Sequence, residues 1–179
     1  SVASTTLPAV TLNNLTMNRA NGSSLGGDVT VAGTLTFTSG NITTSSNTLS
    51  ISSTGTVSRT SGHIVGNFQK YIATGATSKT FEIGDATNYT PVDVAFGSVS
   101  VAGNLTAKTT AGDHPNIASS TIGSSLSVNR YWTLTNSGIT FTSYSSTFTF
   151  VSGDLDAGTT PSTFSVGKYS AGWTYPTVG

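Results

Sequence analysis

In Val29-Thr30-Val31-Ala32-Gly33-Thr34-Leu35-Thr36-Phe37, apolar side chains take the odd positions on either side of Gly33, and threonine takes most of the even ones. A period of two is the signature of a strand with one buried and one exposed face. β-branched Thr suits the exposed half of such a strand. Gly33 marks where one short strand gives way to the next. The same pattern continues through Ile42, Leu49-Ser50-Ile51 and Gly55-Thr56-Val57, with Ser, Thr, Asn and Gly clusters as turns between them. No window long enough for three helical turns is free of these poor helix formers. The sequence therefore predicts an all-β protein.

The apolar pairs recur. Leu15/Met17 and Leu35/Phe37 are separated by 20 residues, and so are Val29/Val31 and Leu49/Ile51. That spacing predicts a β-helix-like arrangement of two to three coils, in which short strands stack and Gly or Asn turns the corners. A meander of short antiparallel hairpins is the alternative. From Ile64 onward the runs are longer and more aromatic, as in Asn67–Tyr71, Lys79–Ile83, Pro91–Phe96, Ser127–Leu134, Thr147–Val151 and Phe164–Val166. Turn signals such as Gly84-Asp85 and Asn136-Ser137-Gly138 separate them, which predicts an antiparallel β-sandwich with Trp132 and Trp173 as its large core or rim residues. The expected organisation is an N-terminal extended strand and solenoid-like segment over 1–66, merging into a sandwich over 67–179 with one shared core.

Composition narrows the function. The chain has 179 residues, 7 Lys+Arg against 7 Asp+Glu, 8% charged residues, 35% hydrophobic residues and no Cys. With zero net charge and no basic cluster, the counterion-release term behind nucleic-acid binding and the polybasic attraction to anionic membranes are both missing. Neither nucleic acid nor membrane insertion is expected. An ordinary globular chain carries about 25% charged residues; here Ser, Thr, Asn and Gly stand in their place, as on the hydroxyl-rich surfaces of secreted β proteins. The expected setting is extracellular. The chain starts at Ser1 without a leader-like segment, which suggests a processed or excerpted polypeptide.

Several segments together carry a likeness to a known group: Val29–Thr44, Gly66–Lys70, Lys79–Asp85 with Tyr89–Val92, Val128–Trp132, and Phe164–Tyr169 with Trp173. In these the chain resembles repeat modules of large secreted, adhesin-like bacterial surface proteins of the Bacteroidetes and Ignavibacteria type. The resemblance implies a structural setting and no catalytic residues. Members commonly continue past the position of Gly179, so it also implies a segment of a longer chain or a processed subunit.

Chemistry-bearing motifs are sparse. Asp154 and Asp156, two apart in Gly153–Gly158, could ligate calcium or belong to an Asp-rich turn. Gly84-Asp85 with Asn88 and Asp93 is a second oxygen-rich corner or another turn. His63 and His114 lack the spacing of a zinc site. Asp113-His114 among many serines has no Gly-x-Ser-x-Gly elbow to make a triad. Asn-x-Ser/Thr sequons fall at Asn14, Asn21, Asn41, Asn88 and Asn104. No enzyme activity is expected, and no cofactor beyond a possible calcium ion.

Two features point to interaction. Thr34, Thr36 and Thr38, followed by Thr43 and Thr44, form a hydroxyl array which, with Trp173 or Tyr175 as an aromatic platform, could bind carbohydrate or ice. The bland reading is a plain exposed β face. Leu7, Val10 and Leu12 lie in an extended, weakly charged segment that could complete a neighbour's sheet by strand addition or be the first strand of its own domain. The reading is a non-enzymatic structural or adhesive protein at the bacterial cell surface, a module or fibre subunit. Its partners would be copies of itself, neighbouring modules or surface glycans.

Overall fold

The structure, a computed structural model, describes residues 5–178. Alternation builds the first elements as the sequence requires. Strands β1 (Thr5–Leu7), β2 (Val10–Leu12) and β3 (Leu15–Asn18) make a first coil, and β4 (Ser23–Leu25), β5 (Val29–Val31) and β6 (Thr34–Ser39) a second. A third runs through β7 (Ile42–Ile51) and β8 (Thr56–Arg59), and β9 (Ile64–Ile72) opens a fourth. All pairings between these coils are parallel.

Register turns the repeat into columns of like side chains. Leu15 pairs with Leu35 and Leu35 with Val57; Val10 with Val29, Val29 with Leu49, and Leu49 with Phe68. The separation drifts from 18 residues at Leu7↔Leu25 to 22 at Ile42↔Ile64, so the period of 20 is that of the middle columns. The solenoid-like reading holds, and the hairpin meander is set aside. Val29, Val31, Leu35, Phe37, Ile42, Leu49, Ile64 and Phe68 are all fully buried.

The corners are set by backbone contact. Gly40 and Gly62 have φ of +79° and +92°, a region that L side chains rarely adopt. A methyl group at Gly40 would come 1.7 Å from the Arg19 carbonyl oxygen, and one at Gly62 would come 2.1 Å from that of Gly40. Successive coils therefore touch backbone to backbone here.

β9 joins two architectures. One edge of it lies parallel to β7 from Ile64 to Lys70, whereas the other pairs antiparallel with β13 (Gly103–Ala111) from Phe68 to Ile72, and the sheet continues to β14 (Arg130–Ser137). Between them, β10 (Gly75–Phe81) precedes the two-residue β11 (Ile83–Gly84), which adds one more parallel rung on β9. An antiparallel sheet then forms around β12 (Val92–Val101), with β10 on one side and β15 (Thr140–Phe141) and β16 (Tyr144–Phe148) on the other. Val92, Val94 and Phe96 point inward from β12, and Phe81 meets Phe68 edge-on at 6.2 Å. One apolar cluster runs from Met17 to Ile139, so the stacked coils and the antiparallel sheets share a core.

The division at residue 66 differs from the compact units observed. The first unit holds the residues through Thr109 together with Trp132–Thr149; the second holds Thr110–Tyr131 and the residues from Phe150 on. The reason is β9, which belongs to both the coils and the antiparallel sheet and ties them together. Among the described residues, the members of this apolar cluster all belong to the first unit. The second unit consists of short 3-10 turns at Ile117–Ser119, Ser152–Asp154 and Pro161–Thr163, with a hairpin of β17 (Lys168–Tyr169) and β18 (Trp173–Thr174). Phe164–Val166, expected as a strand, is irregular. Among the described residues no helix is long and apolar enough to cross a membrane.

Gly40→Ala is expected to destabilise the first unit by at least about 1–3 kcal/mol, the cost of a left-handed non-glycine residue, before the clash is added. Gly123, with open space around it, should tolerate the same change. Urea unfolding of the two variants checks this, and equal midpoints would refute the corner argument.

Candidate functional site

The hydroxyl face is a three-stranded parallel sheet, β3-β6-β8. Leu15, Met17, Leu35 and Phe37 turn inward, which places their neighbours outside. Register then aligns Thr16, Thr36 and Ser58 in one row and Thr34 with Thr56 in the next, the latter two hydroxyls lying 3.2 Å apart. Asn14 extends that row by accepting the Thr34 backbone N–H at 2.7 Å. Thr34 and Thr36 are half-buried and Thr38 is exposed; the β3–β6 register slips between Met17 and Asn18. Thr44 does not belong to the face. It is fully buried, and its hydroxyl accepts the Asn67 N–H at 2.8 Å beside Gly66, filling a corner.

The aromatic platform is not built as expected. Trp173 is half-buried, donates its indole N–H to the Asn116 carbonyl at 3.1 Å, and meets His114 and Tyr169 edge-on at 5.1 and 5.3 Å. Tyr131 closes on the same imidazole at 5.1 Å. These rings serve as the packing nucleus of a unit with little aliphatic material. Tyr175 is 42% exposed, but its hydroxyl accepts the Thr121 N–H at 2.7 Å. Thr34, Thr36 and Thr38 fall in the first unit and Trp173 and Tyr175 in the second.

The carboxylates expected for calcium are engaged by protein donors. Asp154 forms a two-pronged ion pair with Arg130, Nε to Oδ2 at 2.7 Å and Nη2 to Oδ1 at 2.8 Å, and also accepts the Val151 N–H. Both residues are buried. Asp156 accepts the Ser127 N–H at 2.9 Å and the Asn129 amide at 2.7 Å. These bonds hold its carboxyl below the usual range, the Ser127 N–H contributing most. In the structure both carboxylates tie the second unit together. Asp85 likewise closes a turn, accepting the N–H groups of Thr87 and Asn88 at 2.8 Å each. Among the described residues no three His, Cys, Asp or Glu side chains cluster as metal ligands.

His63 is 4% exposed and donates its Nε2–H to the Asp85 carbonyl at 2.7 Å. Burial lowers its pKa from 6.5, partly offset by that carbonyl, and nearby Arg59 lowers it further. Arg59 in turn lies 3.5 Å over the Tyr89 ring, a cation–π contact.

One group escaped the sequence reading. Leu12, Val31 and Ile51 form an inward column, and its next member is Lys70. Its ammonium reaches Glu82 and the Thr80 carbonyl at 2.6 Å each, with the Phe68 ring 5.0 Å away. Burial pushes the Lys70 pKa down, opposed by Glu82. The available signal was phase, because Phe68, Lys70 and Ile72 alternate on the buried side of β9. A cleft of about 280 Å³ adjoins the pair, between Thr56-Val57 of β8 and Ser78–Thr80 of β10.

Leu7, Val10 and Leu12 occupy the first coil, half-buried, and pair within their own chain with Leu25, Val29 and Val31. Among the described residues, β1, β2 and β3 each have a partner on one side only. No protein-family model, curated protein or solved structure matches this chain.

Two outcomes are expected. Asp154→Ala, which leaves the Arg130 charge buried without its partner, should cost about 3–5 kcal/mol, seen as an early loss of near-ultraviolet circular dichroism; unchanged unfolding would contradict the role given to the pair. Because the folded His63 pKa lies below 6.5, its contribution is complete above that pH and is lost as pH falls toward the folded value. His63→Gln should flatten the pH–stability curve in that window, and a curve that keeps its slope would refute the assignment.

Proposed function

We propose that this chain is a non-enzymatic structural module of an extracellular bacterial surface protein or fibre, joined to its neighbour by β-strand pairing at the first coil. The open parallel edge of β1, β2 and β3 carries the reading. Unpaired strand edges are usually blunted by shortness, charge, proline or bulges; β1 and β2 are three residues each with Pro8 between them and β3 carries a register slip, but β1 and β2 contain only Thr, Leu and Val and no charge. The half-buried side chains of Leu7, Val10, Leu12 and Leu15 add apolar surface at the same end. A low-charge, hydroxyl-rich surface suits the extracellular setting, and the resemblance to surface-protein repeats agrees with it. The partner is a second copy or an adjoining module.

Binding of carbohydrate or ice at the β3-β6-β8 face is the second reading, favoured by the aligned rows of Thr16, Thr36 and Ser58 and of Thr34 and Thr56. It needs no assembly and predicts activity from a monomer, through Thr36 above all.

Residues in a strand send their N–H and C=O groups alternately to either side. Val10 and Leu12 use theirs toward β5, with the Val10 N–H on Asp28 and the Leu12 carbonyl on Ala32. Thr11 therefore faces the open edge. Thr11→Pro removes that donor and leaves the internal ladder whole. Sedimentation should show concentration-dependent association of the unaltered chain and a monomer for the variant. A chain that stays monomeric at all concentrations, or a variant that associates equally well, would overturn the proposal.

A further inference from the structure

From the cleft beside Lys70 we infer a binding site for a single sugar ring, recognised through a vicinal diol, separate from both the open edge and the threonine face. The column that holds Leu12, Val31 and Ile51 calls for another apolar side chain, and burying a charged pair there costs several kcal/mol per ion before attraction repays it. A departure from an otherwise consistent pattern is where functional residues concentrate. Lys70 is 7% exposed and both Lys70 and Glu82 line the cleft.

The hydrogen-bond count leaves two groups for a ligand. An ammonium has three donors; Lys70 gives one to Glu82 Oε2 and one to the Thr80 carbonyl. Among the described residues no further hydrogen-bond partner is present for the ammonium or for Glu82 Oε1, and the Phe68 and Phe81 rings stand 5.0 and 5.8 Å from Nζ. A donor and an acceptor thus sit side by side, both charge-assisted. Lys79 lines the cleft as well, so its mouth is net positive, while at the Lys70–Glu82 pair adjacent hydroxyls on a ring satisfy both groups, one accepting from Nζ and the other donating to Oε1. Ser78, Thr80 and Thr56 line the walls and Tyr71 lies in the same lining, which suits a polyol. At about 280 Å³ the space is just under the ~300–1,000 Å³ of pockets for drug-sized ligands, a fit for one ring.

The test is an amide-resolved NMR titration of the whole chain with glucose, galactose, mannose, fucose and N-acetylglucosamine. At least one should shift the resonances of Lys70, Tyr71, Ser78, Thr80 and Glu82 together, with Kd on the order of 1 mM. The double variant Lys70→Met, Glu82→Leu restores the apolar column; it should unfold at the same or a higher temperature and lose the response. Glu82→Gln keeps the shape and removes the charge, and should weaken binding about tenfold, one charge-assisted hydrogen bond. No response to any of the five sugars, shifts confined to the β3-β6-β8 face, or full binding by Glu82→Gln would each overturn the inference. Loss of association in Thr11→Pro leaves this readout unaffected, so the two proposals fail separately.

Discussion

Parallel, in-register stacking places each inward side chain of one coil on its counterpart in the next, and the rest of the molecule follows from that constraint. It turns a pattern of period two along the strand into apolar columns across strands. It also brings corner to corner, so that Gly62 rests on the Gly40 carbonyl with no room for a β-carbon. Buried backbone groups must be paired, and the ladders do this coil by coil. Thr44 and Asn67 close a corner where a bend interrupts them.

A stack has two ends, and each must be dealt with physically. At the far end β9 runs on into an antiparallel ladder with β13, so the core of the coils continues into that of the sheets without a seam. One inward column carries a cation: Leu12, Val31 and Ile51 give way to Lys70 before buried Leu105 resumes it, while Phe37 is followed by the exposed Arg59. Buried Lys70 is compensated by Glu82, whereas Arg59 keeps its exposure and lies over the Tyr89 ring. The near end has no comparable closure among the described residues.

The second unit is held differently. Its segments contain too few aliphatic residues for a core, and a buried Arg130–Asp154 pair, the Asp156 hydrogen bonds and rings around His114 take that place. Desolvation offsets much of the attraction within such a buried pair, while removing one partner leaves the other charge buried and uncompensated. A short sequence signal such as Asp154-Leu155-Asp156 cannot distinguish a carboxylate reserved for a metal from one answered by an arginine 24 positions away.

By itself the sequence determined the all-β class, the inward phase of Val29, Val31, Leu35 and Phe37, and the 20-residue column spacing. Each depends on contacts between residues a fixed distance apart in the chain. Thr34, Thr36 and Thr38 were recognisable as one face for the same reason. Only the tertiary structure decided that β9 belongs to coils and sheets alike, that Thr44 is buried, that Trp173 packs inside a second unit, and that Lys70 pairs with Glu82 beside a cleft. Those outcomes depend on which distant segments meet, and neither composition nor periodicity carries that information.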